Sequence, residues 1–213
     1  MQVEDAHSPG RNVSPRPFSR ALDLGLASLL LALSSPLLAL AALAIKLESR
    51  GPAFYRQRRV GIGGEPFDLW KLRTMVPGAE AMGAGIYVLE GDPRITRVGR
   101  VLRRLSLDEL PNLVNVLKGD MAMVGPRPTI QEQVDRYTER QRRRLEVKPG
   151  ITGWAQVNGR VSLPWPERIE LDVWYVEHRS LRLDLKILAL TAKLLVTGRG
   201  LYSEDPRQGW GEG

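Results

Sequence analysis

Cysteine is absent from the 213-residue sequence, and there are only two histidines, His7 and His178. A chain without cysteine has no disulfide, no thiolate metal site and no cysteine nucleophile. Two histidines so far apart in the sequence also argue against a histidine-rich zinc site. Any catalytic metal is therefore expected to be a hard ion with oxygen ligands, such as Mg²⁺.

Acidic residues are outnumbered by basic ones, 24 Asp and Glu against 31 Lys and Arg, which gives a formal net charge of +7. This balance favours an anionic partner, but charge alone does not choose among a phosphate-bearing substrate, acidic lipid and nucleic acid. The length fits one domain of ordinary size. The sequence shows no internal repeat and no sign of a second domain.

Charge is missing altogether from one long apolar stretch, the 22 residues from Leu24 to Ile45. As a helix this stretch would be roughly 33 Å long, which is enough to span a bilayer. Ser34-Ser35-Pro36 lies at its middle, where proline removes a backbone donor and serine hydroxyls can satisfy the freed carbonyls. We therefore weigh a transmembrane helix against a helix broken at Pro36 that re-enters on the same side.

Basic residues flank this apolar stretch on both sides. They are Arg11, Arg16 and Arg20 before it and Lys46, Arg50, Arg56, Arg58 and Arg59 after it. The positive-inside tendency then places both ends in the cytoplasm. A re-entrant hairpin satisfies this preference, whereas a spanning helix leaves one basic flank outside.

A β-hairpin is predicted after the apolar stretch. Two strand-like runs, beginning at Phe54 and at Pro66, surround the glycine-rich turn Gly61–Gly64. The glycines could instead form a phosphate loop, but no Walker lysine follows and no dinucleotide fingerprint is complete. Residues 1–17 are polar and proline-rich, which is typical of a loose tail.

Helical spacing of apolar residues predicts four further segments. They are Arg94–Leu105 with a basic side, Leu110–Leu117 ended by Gly119-Asp120, Ile130–Leu145, and Leu181–Val196. The last segment is too charged to span a membrane and suits a helix in the interface or packed in the domain. The arginine run Arg142–Arg144 in the third segment is interpreted as a solvated or lipid-facing surface. Residues 151–160 are expected to form a glycine-rich loop with a short strand.

Two adjacent carboxylates, Asp108 and Glu109, lie just before the Leu110–Leu117 segment. Neighbouring acids raise each other's proton affinity unless cations or hydrogen-bond donors compensate. Lys118, Asp120 and Arg127 in the next twenty residues are candidates for the same site. The plain alternative is an exposed helix start, where acids favour the helix dipole and Asp120 merely caps a turn.

Several motifs resemble one family. They are Gly51–Gln57 with Val60-Gly61, Lys71–Met75, Leu107–Pro111, Gly125–Pro128, Lys148–Arg160 and Glu170–Val176. In this order they resemble the monotopic bacterial sugar transferases, or polyprenyl-phosphate phosphoglycosyl transferases, in their small catalytic-core form. Leu72 stands where aromatic residues are common in that family, which we interpret as a packing change.

The resemblance implies an α+β fold, a mostly helical single catalytic domain with a short β-hairpin. The domain would cover residues 18–202, between the tail 1–17 and a C-terminal tail 203–213. It would include a re-entrant membrane helix at about residues 21–46 and interfacial amphipathic helices. The implied location is the cytoplasmic face of the bacterial inner membrane.

The implied reaction moves a sugar 1-phosphate from a UDP-sugar to polyprenyl phosphate, usually undecaprenyl phosphate, and releases UMP. It would proceed through a covalent aspartyl-phosphosugar intermediate and initiate glycoconjugate or exopolysaccharide assembly. The partners expected are therefore the UDP-sugar, the polyprenyl phosphate and membrane lipid, with no nucleic acid and with a homo-oligomer left open. The sugar itself stays unassigned.

The resemblance also assigns roles to particular residues. Asp108 corresponds to the nucleophile and Glu109 to the acid that helps to hold Mg²⁺. Four basic residues would bind substrate. Arg127 would contact phosphate, Arg103 is a second basic position implicated in the family, and Lys71 and Arg73 are candidates for binding the nucleotide.

Two other functions compete with this one. A noncatalytic membrane-anchored protein could use the same positive surface to bind acidic lipid or nucleic acid, although no nucleic-acid module is recognisable. A metal-dependent pyrophosphatase acting on nucleotide sugars would release sugar phosphate into water, which the membrane segment disfavours.

Overall fold

In a computed structural model, the described residues are 17–82, 91–159 and 163–197. The predicted tails at 1–17 and 203–213 lie outside them, apart from Pro17, which begins a helix. The α-helices are α1 Pro17–Glu48, α2 Arg97–Arg104, α3 Asn112–Lys118, α4 Gln131–Val134, α5 Glu139–Arg142, α6 Trp154–Val157, α7 Trp165–His178 and α8 Leu181–Thr197. The strands are β1 Phe54–Val60, β2 Pro66–Leu72, β3 Ala122–Val124 and β4 Gly150–Thr152. The mostly helical α+β architecture predicted from the sequence is confirmed.

The predicted β-hairpin is formed by β1 and β2. The strands pair antiparallel, with Phe54 opposite Leu72 and Val60 opposite Pro66. Gly63 in the connecting turn has φ 66°, a left-handed conformation that glycine adopts without a steric penalty. The glycine-rich turn therefore connects the two strands of the hairpin, as predicted.

A second, parallel pair joins β3 to β4, and the sequence predicted only a short strand in the β4 region. Ala122 lies opposite Gly150 and Val124 opposite Thr152. A Cβ atom on Gly150 would lie 2.1 Å from the nitrogen of Gly125, so a side chain at this position would collide with the neighbouring backbone. This close approach fixes the start of the loop that carries Arg127.

The apolar stretch forms the middle of α1, which runs without interruption through Pro36. Proline at this position leaves the carbonyl of Ala32 without its usual donor. The hydroxyl of Ser35 donates to that carbonyl at 2.8 Å, and the hydroxyl of Ser34 donates to the carbonyl of Leu30 at 2.7 Å. The predicted role of the serines is confirmed, while the predicted break into two half-helices stays a prediction.

Polar contacts attach both ends of α1 to the rest of the chain. Near its start, Arg20 donates to the carbonyl of Val116 at 2.7 Å, and the backbone N–H of Met123 donates to Asp23 at 2.9 Å. At its end, Glu48 accepts from the N–H groups of the first turn of α2. The two ends are thus bound to the same body.

The apolar contacts of α1 also form two separate groups, one toward each end of the helix. Ala27 lies in the main core with residues of α3, β2, β3 and α8, whereas Ile45 packs with Leu72 and Leu102. Between them the leucines are open, with Leu33 70% and Leu40 65% exposed. Ser19–Glu48 is long and apolar enough to cross a membrane, and it is the one helix of the described chain that meets this criterion.

The single amphipathic helix predicted over Ile130–Leu145 is wrong. The chain instead forms α4, α5 and a 3₁₀ turn over Arg143–Glu146. Thr138 interrupts the segment because its hydroxyl and the side chain of Gln141 form a reciprocal capping box at the start of α5. A cap of this kind begins a new helix rather than continuing an old one.

The predicted surface position of the arginine run is wrong for Arg144. This residue is only 2% exposed, and its guanidinium donates to Asp172 at 2.6 Å and to the hydroxyl of Tyr137. Burial of an arginine requires such a partner. The neighbouring Arg143 stays at the surface and pairs with Glu146.

Helix α8 confirms the prediction made for Leu181–Val196. Ile187 is fully buried in the main core and Leu185 is 50% exposed, so the helix packs in the domain along one side. The hydroxyl of Tyr175 in α7 donates to Asp184 at 2.7 Å, which ties the two helices together.

Candidate active site

The two adjacent acids lie in a 3₁₀ turn, Leu107–Glu109, between α2 and α3. This confirms their predicted place just before a helix. Ser106, immediately before the turn, has φ 55° and is the one non-glycine with positive φ among the described residues. Such backbone strain persists where the surroundings fix it and clusters at functional sites. The turn is therefore held in a conformation that its own sequence does not favour.

Helix α2 is fixed close to the end of β2. A Cβ atom on Gly99 would lie 2.0 Å from the carbonyl oxygen of Thr74, so only glycine allows this approach. The same threonine accepts a hydrogen bond from Nε of Arg103 at 2.8 Å. Arg103 is thereby held at the end of α2, and its charge acts on Asp108.

Glu109 is paired with two cations. Lys71 Nζ lies 3.1 Å from its Oε1, and Arg127 Nη2 lies 2.6 Å from the same oxygen. Burial opposes ionisation, but Arg127 and Lys71 outweigh it and hold the pKa of Glu109 well below its usual range. Burial lowers the pKa of Lys71, although Glu109 opposes that shift.

Asp108 has a different environment from Glu109. It is 9% exposed, and no described residue donates a hydrogen bond to its carboxylate. Burial and the neighbouring charge of Glu109 raise its pKa, and the more distant charges of Lys71, Arg103 and Arg127 oppose the rise. A desolvated carboxylate with open lone pairs is suited to act as a nucleophile.

Five of the six residues predicted for the site lie together: the two acids Asp108 and Glu109, and the basic residues Lys71, Arg103 and Arg127. Arg73 does not join them. Its guanidinium donates to the carbonyls of Ser49 and Arg50 at 2.9 Å, and the side chain is 8% exposed. It satisfies carbonyls that follow the end of α1, where an arginine also complements the helix dipole.

Asp120 and Lys118 lie apart from the acid pair. Asp120 accepts a hydrogen bond from the side chain of Asn115 at 3.0 Å, and it directly follows Gly119, the residue that caps α3. Lys118 lies over the ring of Trp70, 5.5 Å from its centroid. Asp120 thus has the structural role that the sequence left open.

The Arg127 loop is supported by the buried Arg144–Asp172 pair. Arg144 donates to the carbonyl oxygen of Arg127 at 2.9 Å while it pairs with Asp172. This support could not be predicted from the sequence, because the three residues are far apart in the chain and meet only through the packing of α7.

A small pocket opens beside Glu109. Among the residues that line it are Arg59, Lys71, Asn112 and Arg127. Neither Arg59 nor Asn112 was predicted from the sequence as a site residue. The proximity of Arg59 to the family motif in β1 was a weak signal, and Asn112 directly follows the Leu107–Pro111 motif.

The donor set fits a hard divalent ion in part. Asp108 and Glu109 offer carboxylate oxygens from one turn, and Mg²⁺ is commonly held by one or two carboxylates together with substrate phosphates. No group of three His, Cys, Asp or Glu side chains lies together within residues 17–82, 91–159 and 163–197. An ion at this place would therefore need oxygens from the substrate.

Comparison with known proteins gives the family. The profile of the bacterial sugar transferase family matches residues 14–198. The chain belongs to this family. The resemblance seen in the sequence to polyprenyl-phosphate phosphoglycosyl transferases is thereby confirmed at the family level.

Three relatives illustrate the similarity. EpsL of Bacillus subtilis (strain 168), an uncharacterized sugar transferase, is 46% identical over 186 residues, which cover 87% of this chain and 91% of EpsL. The UDP-glucose:undecaprenyl-phosphate glucose-1-phosphate transferase of Caulobacter vibrioides is 48% identical over 192 residues, or 86% of this chain and 71% of the relative. The undecaprenyl-phosphate galactose phosphotransferase of Salmonella typhimurium is 39% identical over 203 residues, or 89% and 43%.

The matched region of this bacterial sugar transferase contains the whole site. It covers both acids, the basic residues around them and α1. The apolar helix and the family together indicate a membrane-associated enzyme.

Proposed function

We propose that this bacterial sugar transferase moves a sugar 1-phosphate from a UDP-sugar to undecaprenyl phosphate and releases UMP. The observation that carries the proposal is the unequal environment of two adjacent acids. Cations bind Glu109, whereas Asp108 is buried, has open lone pairs and has a raised pKa. If the site served only to bind a metal or to form ion pairs, the lack of a hydrogen-bond donor to Asp108 would have no explanation.

Asp108 is the nucleophile of the proposed reaction. A carboxylate oxygen of Asp108 attacks the β-phosphorus of the UDP-sugar, and the bond from that phosphorus to the bridging oxygen of UMP breaks. UMP leaves with the bridging oxygen, and the sugar phosphate stays attached to Asp108 as an acyl phosphate. An oxygen of the lipid phosphate then attacks the same phosphorus and restores the carboxylate.

The cations around Glu109 provide charge stabilisation for both steps. Arg127 offers a planar fork of donors that matches phosphate geometry, and Lys71 adds a point charge. Arg103 approaches from the α2 side and favours the ionised form of Asp108. Mg²⁺, when held by Glu109 and the phosphates, would neutralise the diphosphate and aid departure of UMP.

The attachment of α1 supports a monotopic arrangement at the membrane. Its start is bound through Arg20 and Asp23, its end is bound through Glu48, and exposed leucines run along the helix between these contacts. If the domain that holds both ends lies in the cytoplasm, both ends lie there too. The open leucines then enter one leaflet, and the lipid acceptor stays close to the acids.

A noncatalytic lipid-binding protein explains less of the structure. Acidic lipid requires only exposed cations, whereas here Lys71 is largely buried and its charge is directed at Glu109. The sugar is left open, since one relative is named for glucose and another for galactose.

The experiment that tests the function is an assay of UMP release. Purified enzyme is given Mg²⁺, undecaprenyl phosphate and a panel of UDP-sugars, and wild type is compared with Asp108→Asn. We expect acceptor-dependent UMP release with at least one UDP-sugar and its loss in the variant. Turnover near the wild-type rate in Asp108→Asn would refute the proposed role of this residue.

A further inference from the structure

Arg59 is held in an unfavourable place for a cation. It projects from β1 into the pocket beside Glu109, where Arg127 also lies. Burial and the like charge of Arg127 lower its pKa to about 10, and these outweigh the favourable charges of Tyr55, Glu109 and Glu132. Nη2 donates to Gln57 at 2.7 Å, whereas the buried Nε has no partner.

The charges that line this pocket do not balance. Arg59, Lys71 and Arg127 supply three positive charges, and Glu109 supplies the one negative charge among the lining residues. Among the residues that line the pocket, positive charges therefore exceed negative charges by two. The Nε atom of Arg59 is buried without a partner, and a guanidinium group taken out of water needs an anion or several acceptors. An excess of two positive charges matches the two negative charges of a nucleotide-sugar diphosphate.

Asn112 provides a second, independent sign of a ligand. It lines the same pocket at the start of α3 and is only 4% exposed. Its buried Oδ1 has no hydrogen-bond partner, although buried side-chain amides are almost always paired. By comparison, the side chain of Asn115, three residues later in the same helix, forms hydrogen bonds with Asp68, Trp70 and Asp120.

We propose that Arg59 and Asn112 bind the nucleotide donor in this pocket. Arg59 contacts the diphosphate together with Lys71 and Arg127. The Asn112 amide hydrogen-bonds an O–H or N–H group of the donor beside the diphosphate. This inference rests on the proposed function, because it takes the donor to be a UDP-sugar.

The test uses the full-length enzyme in detergent or nanodiscs and measures its affinity for UDP and for uridine by calorimetry. Arg59→Gln is compared with the matched control Arg58→Gln, since Arg58 is the next residue of the same strand but is 66% exposed and faces Asp68. We expect Arg59→Gln to weaken UDP binding about tenfold or more. Uridine binding and the Arg58→Gln control should stay at the wild-type level.

The thermal melting curve of every variant shows whether it is folded. Arg59→Lys is a second variant, used in case Arg59→Gln does not fold. Lysine keeps the charge and the apolar stem but lacks the planar fork, so an intermediate loss of UDP affinity is expected. If Arg59→Gln does not fold, Arg59→Lys decides. UDP affinity equal to wild type in the folded Arg59 variant would overturn the assignment of Arg59.

Asn112→Ala is measured with uridine, with UDP and with a UDP-sugar that the wild type turns over. A loss shared by all three places the Asn112 contact on the nucleoside, and a loss confined to the UDP-sugar places it on the sugar. Unchanged affinity for all three overturns its role. If wild type neither binds UDP nor releases UMP, the proposed function fails as well, whereas normal wild-type behaviour with silent variants refutes only this inference.

Discussion

The guanidinium of Arg127 lies 2.6 Å from the carboxylate of Glu109. Lys71 binds the same carboxylate oxygen at 3.1 Å. Glu109 is thus ionised and oriented before any substrate arrives, and its charge in turn raises the proton affinity of Asp108. One acid organises the cations, and its neighbour is left to react.

Replacement of Glu109 should change the pH dependence of catalysis in a defined direction. Asp108 must be ionised to attack, so activity rises with pH through its pKa. Glu109→Gln removes the negative charge beside Asp108, and the positive charges of Lys71 and Arg127 are then no longer neutralised by Glu109. Both effects lower the pKa of Asp108. We expect the acid limb of kcat/KM to move to lower pH, while the rate at the plateau falls about 100-fold or more. An acid limb at unchanged or higher pH would contradict this electrostatic account.

Replacement of Arg103 should move the same limb in the opposite direction. Arg103 lowers the pKa of Asp108, so Arg103→Gln raises that pKa and shifts the acid limb to higher pH. Arg104→Gln is the matched control, because Arg104 is the next residue of α2 and is exposed. Equal shifts in the two variants would show that the general charge of the helix is responsible, and not the position of Arg103.

The sequence predicted those parts of the fold that depend on local patterns. The β-hairpin, α2, α3 and α8 followed from alternating or helical spacing, and the acids were correctly placed before α3. The parallel pairing of β3 with β4 and the burial of Arg144 depend on segments that are distant in the chain. Periodicity describes one segment at a time, so it carries no information about such contacts.

The candidate site shows the same limit. Lys71 and Arg127 were predicted because they lie in family motifs, Arg103 was predicted as a second basic position of the family, and the structure brings the three together. Arg73 lies in the same motif as Lys71 but contacts the end of α1 instead. Arg73 lies just after the end of β2, and its partners are the carbonyls that follow α1, a contact between distant segments that the motif alone does not reveal.

Loss of the buried pair behind Arg127 should destabilise the protein. Asp172→Asn leaves the charge of Arg144 buried without a counter-charge, which costs about 3–5 kcal/mol. Glu170→Gln is the control on the same helix, because its pair with Arg140 is about half exposed at 56% and 48%. An exposed pair of this kind contributes about 0–1 kcal/mol. Denaturant unfolding of both variants tests the contrast, and similar losses in the two would contradict it.

The membrane arrangement can be tested by thiol labelling, since the chain has no native cysteine. Ser14→Cys and Glu65→Cys place single thiols before and after α1. Glu65 is exposed and lies outside the helix, whereas Ser49 accepts a hydrogen bond from Arg73 and is better left intact. We expect both thiols to react with an impermeant reagent only after the cytoplasmic side is opened. Reaction of Ser14→Cys from outside in intact cells would show a spanning helix.

The central claim is that the sugar phosphate passes through Asp108, and trapping it tests the claim most directly. Enzyme is mixed with a UDP-sugar labelled at the β-phosphorus, without lipid acceptor, quenched with acid within milliseconds to seconds, and digested for mass spectrometry. Asp108→Asn is the test variant, and Asp120→Asn is the control because Asp120 is bound to Asn115 and does not line the pocket beside Glu109. The account predicts label on the peptide that contains Asp108 in wild type and Asp120→Asn, its absence in Asp108→Asn, and its release by added undecaprenyl phosphate. Acceptor-dependent turnover with no label on Asp108 at any quench time, or label that persists in Asp108→Asn, would contradict the account.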